Sequence, residues 1–143
     1  MELWHLVGHL IIASIISFFV YRKTKNIRLV FLCIFCSFAI DTDHLFDFWM
    51  AYGFSLDMIE FFKFNFFNIN QAVYIPLHSW ELIGLIIILG RFVKKYRWLL
   101  LTIGLAMFFH VLWDAASYRI ILINYSLIYR LLNNFSLSIF NGC

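Results

Sequence analysis

Four long apolar runs restrict the fold of this chain more than any other feature of its sequence. They cover residues 3–21, 27–49, 75–90 and 98–117. A helix needs about 20 apolar residues to cross the hydrocarbon core of a bilayer. Because main-chain polar groups find no water there, a single segment crosses only as a helix. We therefore predict an all-α integral membrane protein with four transmembrane helices in a single membrane domain, residues 1–143.

The composition excludes an ordinary soluble domain. Hydrophobic residues make up 64% of the chain and charged residues 13%, whereas soluble domains average about 25% charged residues. The first run lacks the pattern of a signal peptide, because its basic residues follow the apolar stretch instead of preceding it. We predict that this run is retained as a membrane helix.

Two segments outside the runs have mixed character. Residues 50–74 are rich in phenylalanine yet carry charges, so we predict an interfacial or re-entrant segment. An aromatic belt that only anchors the loop is the alternative. Residues 118–139 interrupt their apolar stretches with Asn124 and Arg130, which predicts either an amphipathic C-terminal helix on the membrane surface or a fifth span.

Most basic residues lie in two short clusters between the runs. Such clusters mark cytoplasmic loops, so we predict the lipid bilayer as the partner of these residues and no nucleic acid. The clusters then orient all four helices, and the opposite ends of the helices face the non-cytoplasmic side. The basic residues are Arg22, Lys23, Lys25 and Arg28 in the first cluster and Arg91, Lys94, Lys95 and Arg97 in the second.

Histidines and carboxylates concentrate at those non-cytoplasmic ends. An ionisable group inside an apolar helix costs about 2.5–3.5 kcal/mol, so it usually persists where it pairs or binds something. A metal ion is the partner that this mixture of side chains favours. The candidate ligands are His5 and His9 in the first run, Asp41, Asp43 and His44 in the second, His78 at the start of the third, and His110 and Asp114 in the fourth.

The spacing of the candidates fits metal binding. Residues three or four positions apart share a helix face, and three pairs meet this condition: His5 with His9, Asp41 with His44, and His110 with Asp114. Imidazole and carboxylate ligands favour zinc, with manganese or iron as alternatives. Eight candidates exceed the needs of one tetrahedral ion, so we predict one or two divalent ions. Two ions about 3.5–4 Å apart suit hydrolysis of a phosphate ester, and Asp43 would bridge them or bind the second.

Two further carboxylates follow candidate ligands by about one helical turn. Glu81 follows His78, and Asp47 follows His44. We predict a catalytic role for both, either as general bases or as carboxylates that orient a ligand imidazole, and orientation is the commoner role of such groups.

The order of these motifs resembles a known family. G-H-L at Gly8, D-T-D-H from Asp41, H-S at His78 and H-V-L-W-D from His110 are similar to the bacterial membrane-bound metal-dependent hydrolases, some of which are described as LexA-regulated inner-membrane proteins. The resemblance implies a bacterial inner-membrane location and a metal-binding role for the candidates from His9 to Asp114, with His5 as an additional partner. The chain departs from the family at Ile40, where a proline often stands, and at residues 74–79, which lack the family's first histidine and its arginine.

These features together predict a multi-pass, membrane-embedded metal-dependent hydrolase. Its substrate would be a phosphate ester or a lipid-linked molecule at the non-cytoplasmic face. The alternatives are a metal or proton transporter, an oxygen-using di-iron enzyme, and a non-catalytic membrane subunit whose metal site is structural. A transporter would need ionisable residues through the whole depth of the bilayer, and a di-iron lipid oxidase typically has H-x-x-H-H clusters, which this sequence lacks.

Overall fold

The computed structural model describes residues 3–140 and is almost entirely helical. The all-α prediction is confirmed for these residues, and the remaining positions of the predicted domain, 1–2 and 141–143, lie outside them. Within the described part, eight α-helices follow one another: α1 Leu3–Thr24, α2 Ile27–Ala39, α3 His44–Tyr52, α4 Met58–Phe61, α5 Phe66–Asn70, α6 Trp80–Phe92, α7 Arg97–Tyr118 and α8 Leu127–Leu132.

Three helical stretches are long and apolar enough to cross a membrane. They are Trp4–Thr24, Ile27–Tyr52 and Lys94–Tyr118, with 21, 26 and 25 residues. In the second stretch, α2 continues through a 3-10 turn, Ile40–Asp43, into α3. These stretches correspond to the first, second and fourth predicted runs, and they identify the chain as a membrane protein.

The outward faces of the long helices expose large apolar side chains. Phe31 and Phe35, one turn apart on α2, are each 68% exposed, and Phe19 on α1 is 65% exposed. Extended apolar patches are rare on soluble monomers, because water disfavours them. Lipid chains solvate such a surface, so the exposed phenylalanines agree with a transmembrane position.

The prediction of a fourth span over residues 75–90 is not confirmed. α6 begins only at Trp80, and its 13 residues extend about 20 Å, which is less than the roughly 30 Å of a hydrocarbon core. The preceding residues depart from helical geometry: Ile75 has a φ of 27°, Pro76–His78 form a short 3-10 turn, and Ser79 is extended. His78 therefore lies on a turn and not on a helix.

The segment 119–140 is not the single amphipathic helix or fifth span predicted for residues 118–139. Its α-helix, α8, has six residues, which is far below spanning length. The segment instead pairs with the chain before α6 through main-chain hydrogen bonds, from Val73 N–H to Phe135 O (2.8 Å) and from Leu137 N–H to Gln71 O (2.9 Å). The interfacial position of residues 50–74 stays a prediction, and two short helices, α4 and α5, lie within it.

The long helices pack closely at a glycine. α7 packs against α1, α2 and α6, and α1 packs against α2. A Cβ atom at Gly8 would overlap the indole ring of Trp113, so only glycine leaves room for this ring against α1. The Trp113 indole N–H also donates to the His5 carbonyl oxygen at 3.1 Å. These contacts fix α1 against the part of α7 that carries His110 and Asp114.

Candidate metal centre

The eight predicted ligands lie in one polar layer, which α1, α7, the α2–α3 turn and the turn before α6 build together. His9 is 15 positions from the end of α1 at Thr24, Asp41 is 14 positions from Ile27, and His110 is 13 positions from Arg97. At about 1.5 Å per residue, these separations are about 20–22 Å. The three helices thus bring their polar side chains to nearly the same distance from the basic clusters. The polar layer consists of His5, His9, Asp41, Asp43, His44, His78, His110 and Asp114.

Asp114 lies between two pairs of imidazoles. Its Oδ1 atom is 3.3 Å from His5 Nε2 and 3.0 Å from His9 Nε2. Its Oδ2 atom is 3.1 Å from His110 Nε2 and 3.5 Å from His78 Nε2. Each oxygen of this carboxylate therefore serves a different pair, which is the arrangement of a bridging carboxylate.

Asp41 is a second carboxylate beside the pair formed by His78 and His110. Its Oδ1 atom is 3.2 Å from His110 Nε2, 3.5 Å from His78 Nε2 and 3.8 Å from His44 Nε2. The Asp41 side chain is 36% exposed, whereas those of His78 and His110 are 1% and 0% exposed. Asp41 therefore lies where the polar layer meets the space outside it.

One main-chain acceptor and one side-chain acceptor orient the imidazoles of His110 and His78, respectively. His110 Nδ1 lies 2.7 Å from the Ser37 carbonyl oxygen, and His78 Nδ1 lies 3.0 Å from Asp43 Oδ2. A carbonyl or carboxylate oxygen can only accept, so both Nδ1 atoms donate a proton. In the neutral tautomer each Nε2 atom then presents a lone pair, and the two Nε2 atoms are 3.2 Å apart.

Asp43 is itself held by main-chain donors. Its Oδ2 atom accepts hydrogen bonds from Leu77 N–H at 2.8 Å and from His78 N–H at 3.3 Å. The carboxylate thus fixes both the main chain and the imidazole of His78. Carboxylates that orient metal-binding histidines act in this way.

The donor set fits one or two divalent cations. Three groups of side chains could each hold an ion, because their ligand atoms lie within 4.8 Å of one another: His5 with His9 and Asp114, Asp41 with His78 and His110, and Asp43 with His44 and His78. Three buried atoms of the layer have no hydrogen-bond partner: His5 Nδ1, Asp43 Oδ1 and His44 Nδ1. Lone pairs and carboxylate oxygens packed this closely repel one another unless a cation or protons lie between them. Imidazole and carboxylate ligands without a thiolate suit zinc, manganese or iron.

The two predicted catalytic carboxylates contact main chain. Asp47, which is fully buried, accepts from Tyr74 N–H at 2.8 Å and from Ile75 N–H at 3.2 Å. Glu81 accepts from Leu127 N–H at 2.8 Å and from the Ser126 hydroxyl at 2.5 Å. Asp47 fixes the chain before the His78 turn, and Glu81 fixes the start of α8. Their predicted action as general bases stays a prediction.

Arg130 is a supporting residue that the sequence did not single out. Its side chain is fully buried, and its guanidinium donates to the carbonyl oxygens of Tyr74 and Ile75. Burial lowers the pKa of Arg130, and the nearby carboxylates of Asp43, Glu81 and Asp47 oppose this shift. Arg130 thus connects the C-terminal segment to the residues that precede His78. A lone arginine in an ambiguous tail gives no sequence signal for this contact.

A cavity of about 600 Å³ opens onto the polar layer. Its floor contains His5, Asp41, His44, His78 and Asp114. Its walls come from the aromatic segment before α6 and from the C-terminal segment, and they are mainly apolar: Phe61, Phe62, Phe64, Phe67, Val73, Ile75, Tyr118, Ile120, Tyr125, Leu137 and Phe140, with Lys63 beside them.

The chain has no match among family models, curated proteins or solved structures. The family resemblance in its motifs therefore stays a prediction, and the fold and the polar layer carry the functional argument.

Proposed function

We propose that this protein is a membrane-embedded metal-dependent hydrolase that acts on a phosphate ester or lipid-linked substrate at the non-cytoplasmic face of a bacterial inner membrane. The observation that carries the proposal is the position of Asp114, whose two oxygens each face a separate pair of imidazoles. A carboxylate shared in this way suits two neighbouring cations better than one.

The residues divide into two metal-binding groups. His5, His9 and Asp114 Oδ1 would hold one ion, and zinc is the favoured metal. The second ion would be held by Asp41, His78, His110 and Asp114 Oδ2. When bound, such a pair lowers the pKa of a water molecule towards about 7 and stabilises charge on a phosphoryl group.

The other residues hold these groups in place. Asp43 orients His78, and the Ser37 carbonyl orients His110. We assign Asp47 and Glu81 a positioning role, because their oxygens already accept main-chain N–H groups. His44 lines the cavity beside Asp41, and its imidazole is suited to hold or move a proton next to a bound substrate.

Two observations favour catalysis over the alternative functions. A transporter needs ionisable groups through the depth of the bilayer, but the described interior between the polar layer and the basic ends contains a buried apolar cluster that includes Ile16, Leu29 and Cys33. The buried polar side chains there, such as Ser17 and Thr102, are neutral hydroxyls. A purely structural metal site is typically closed. Here the layer is open to a cavity large enough for a small ligand.

Metal analysis of the purified protein tests the proposal. We expect about two equivalents of divalent metal per chain, and Asp114→Asn should lose at least one equivalent. Asp57→Asn is the matched control, because Asp57 is exposed and caps α4. A wild-type protein without bound metal after reconstitution with zinc, manganese or iron would reject the proposal.

Hydrolysis is the second readout. The metal-loaded protein in lipid nanodiscs should release phosphate from a synthetic phosphate monoester or a lipid phosphate, and a chelator should abolish this release. Stoichiometric metal without turnover of either compound would instead support the structural role.

A further inference from the structure

We propose that the substrate is an amphiphile with one apolar chain and one phosphate group, which binds with its phosphate at the polar layer and its chain in the aromatic cavity. This inference rests on the proposed function and adds the class of substrate to it.

The cavity has two chemically different parts. Its floor consists of imidazoles and carboxylates, whereas its walls consist mainly of phenylalanine and aliphatic side chains. The two parts are in direct contact: the ring centroid of Phe64 is 5.6 Å from that of His44, and Phe67 lies at the same distance, both edge to face. A ligand that contacts the floor therefore also contacts the apolar wall, so it needs a polar head and an apolar body.

The volume suits a ligand with one chain. A water-sized group occupies about 30 Å³ in a liquid, so the cavity of about 600 Å³ holds roughly 20 such groups. A phosphate and one chain of about 12–16 carbons fill this space. Two long acyl chains would need about twice this volume, so the cavity encloses one chain more completely than two.

The charges favour a phosphate as the polar head. Asp41, Asp43 and Asp114 supply three negative charges, and two divalent cations would supply four positive ones, so the loaded floor attracts an anion. Lys63 also lines the cavity and adds a positive charge next to Phe64. Its ammonium is 2.7 Å from Glu60 Oε2, so the Glu60 carboxylate offsets part of this charge. An ammonium has three N–H donors, and those not used by Glu60 can donate to a phosphate oxygen.

We place the mouth of the cavity at its exposed lining residues, Phe62, Lys63 and Tyr118. Phe62 and Tyr118 are 56% and 50% exposed, and Lys63 is exposed beside Phe62. An aromatic rim of this kind is suited to the membrane interface. A single-chain lipid could thus enter from the outer leaflet with its phosphate directed towards Lys63 and the floor.

A homologous series of n-alkyl phosphates, from ethyl to hexadecyl, tests the inference. Binding to the zinc-loaded protein in nanodiscs is measured as competition with phosphate-ester hydrolysis, against the free aqueous concentration of each compound. We expect affinity to rise by up to about fourfold for each methylene, which corresponds to about 0.8 kcal/mol, and to level off near 12–16 carbons. Alkyl trimethylammonium compounds of equal length control for partitioning into lipid and should not compete.

Variants distinguish binding inside the cavity from partitioning into the surrounding lipid. Val73→Trp and Ile120→Trp each replace an aliphatic side chain that lines the cavity with a larger indole, and each should move the levelling point to a shorter chain. Phe54→Trp is the matched control, because Phe54 is 95% exposed and lies in the same aromatic region. Lys63→Gln should weaken the binding of every member of the series, whereas Lys95→Gln, in the second basic cluster, should not.

The outcomes distinguish the two proposals. If ethyl phosphate and dodecyl phosphate compete equally while metal binding and hydrolysis persist, the single-chain inference is wrong and the proposed function stands. A levelling point that neither cavity variant moves would also overturn the inference. A protein that binds no metal rejects the proposed function itself.

Discussion

Asp114 on α7 reaches α1 through one oxygen atom, which lies 3.0 Å from His9 Nε2. The same carboxylate faces His110, one turn away on its own helix, through its other oxygen at 3.1 Å. A single side chain thus joins two transmembrane helices within the polar layer. The geometry of the layer therefore depends both on the ligand side chains and on the residues that pack α1 against α7.

Removal of the Asp43 carboxylate should weaken metal binding, although His78, the ligand that Asp43 orients, is unchanged. Asp43 orients His78 through Nδ1 and two main-chain N–H groups, and loss of such an orienting group typically costs about 10–100-fold in metal affinity. We expect a loss of this size in Asp43→Ala and a smaller one in Asp43→Asn, which keeps an acceptor oxygen. Competition with a zinc chelator measures the affinity. Wild-type affinity in Asp43→Ala would contradict the orienting role.

A larger residue at position 8 should separate α1 from α7. Any Cβ at Gly8 overlaps the Trp113 indole, so we expect Gly8→Ala to destabilise the protein by about 1–3 kcal/mol, the usual range for overpacking. Thermal unfolding in detergent measures this change. Gly84→Ala is the control, because a Cβ at Gly84 meets nothing within 4 Å. Equal stability of the two variants would show that α1 does not depend on this contact.

Loss of the Arg130 charge should release the C-terminal segment. Arg130 is buried, and its guanidinium bonds to the carbonyl oxygens of Tyr74 and Ile75. Leaving a buried carbonyl oxygen without its donor costs about 1–3 kcal/mol, so Arg130→Met should lower the unfolding temperature and expose residues 119–140 to protease. Arg130→Lys should recover part of the loss. Arg91→Met changes an exposed residue and should have little effect.

The orientation of the protein can be tested with introduced cysteines. If the basic clusters are cytoplasmic, an impermeant thiol reagent should label Asn65→Cys in intact cells or right-side-out vesicles and should not label Lys95→Cys until the membrane is opened. Both positions are exposed. The native cysteines at positions 33, 36 and 143 are first changed to serine or alanine. Labelling of Lys95→Cys alone would place the polar layer on the cytoplasmic side instead.

Local sequence patterns predicted the long helices well. α1, the α2–α3 stretch and α7 follow directly from apolar runs of spanning length. In lipid, a single segment satisfies its main-chain polar groups only by helical hydrogen bonding. The spacing of His5 with His9 and of His110 with Asp114 likewise fixed which side chains share a face. These relationships depend on neighbours in the chain, so a sequence pattern can reveal them.

The fourth span and the C-terminal segment could not be predicted in the same way. Hydropathy joined residues 75–79 to α6, but Asp43, Asp47 and Arg130 hold this stretch as a turn through bonds to its main chain. The partners are distant in sequence, and no local pattern records them. The C-terminal segment likewise depends on distant partners, because its main chain pairs with residues 71–73 and its α-helix has six residues.

The sequence by itself determined a membrane protein whose histidines and carboxylates lie at one end of its long helices. Its hydropathy determined the three long helices, and helical periodicity determined the faces of α1 and α7 on which these residues lie. Only the tertiary structure decided that Asp114 lies between two imidazole pairs, that Asp43 supports His78, and that an apolar cavity opens onto the layer. The physical reason is that burial, hydrogen-bond partners and cavity walls arise from contacts between segments far apart in the chain, whereas hydropathy and spacing are properties of each segment alone.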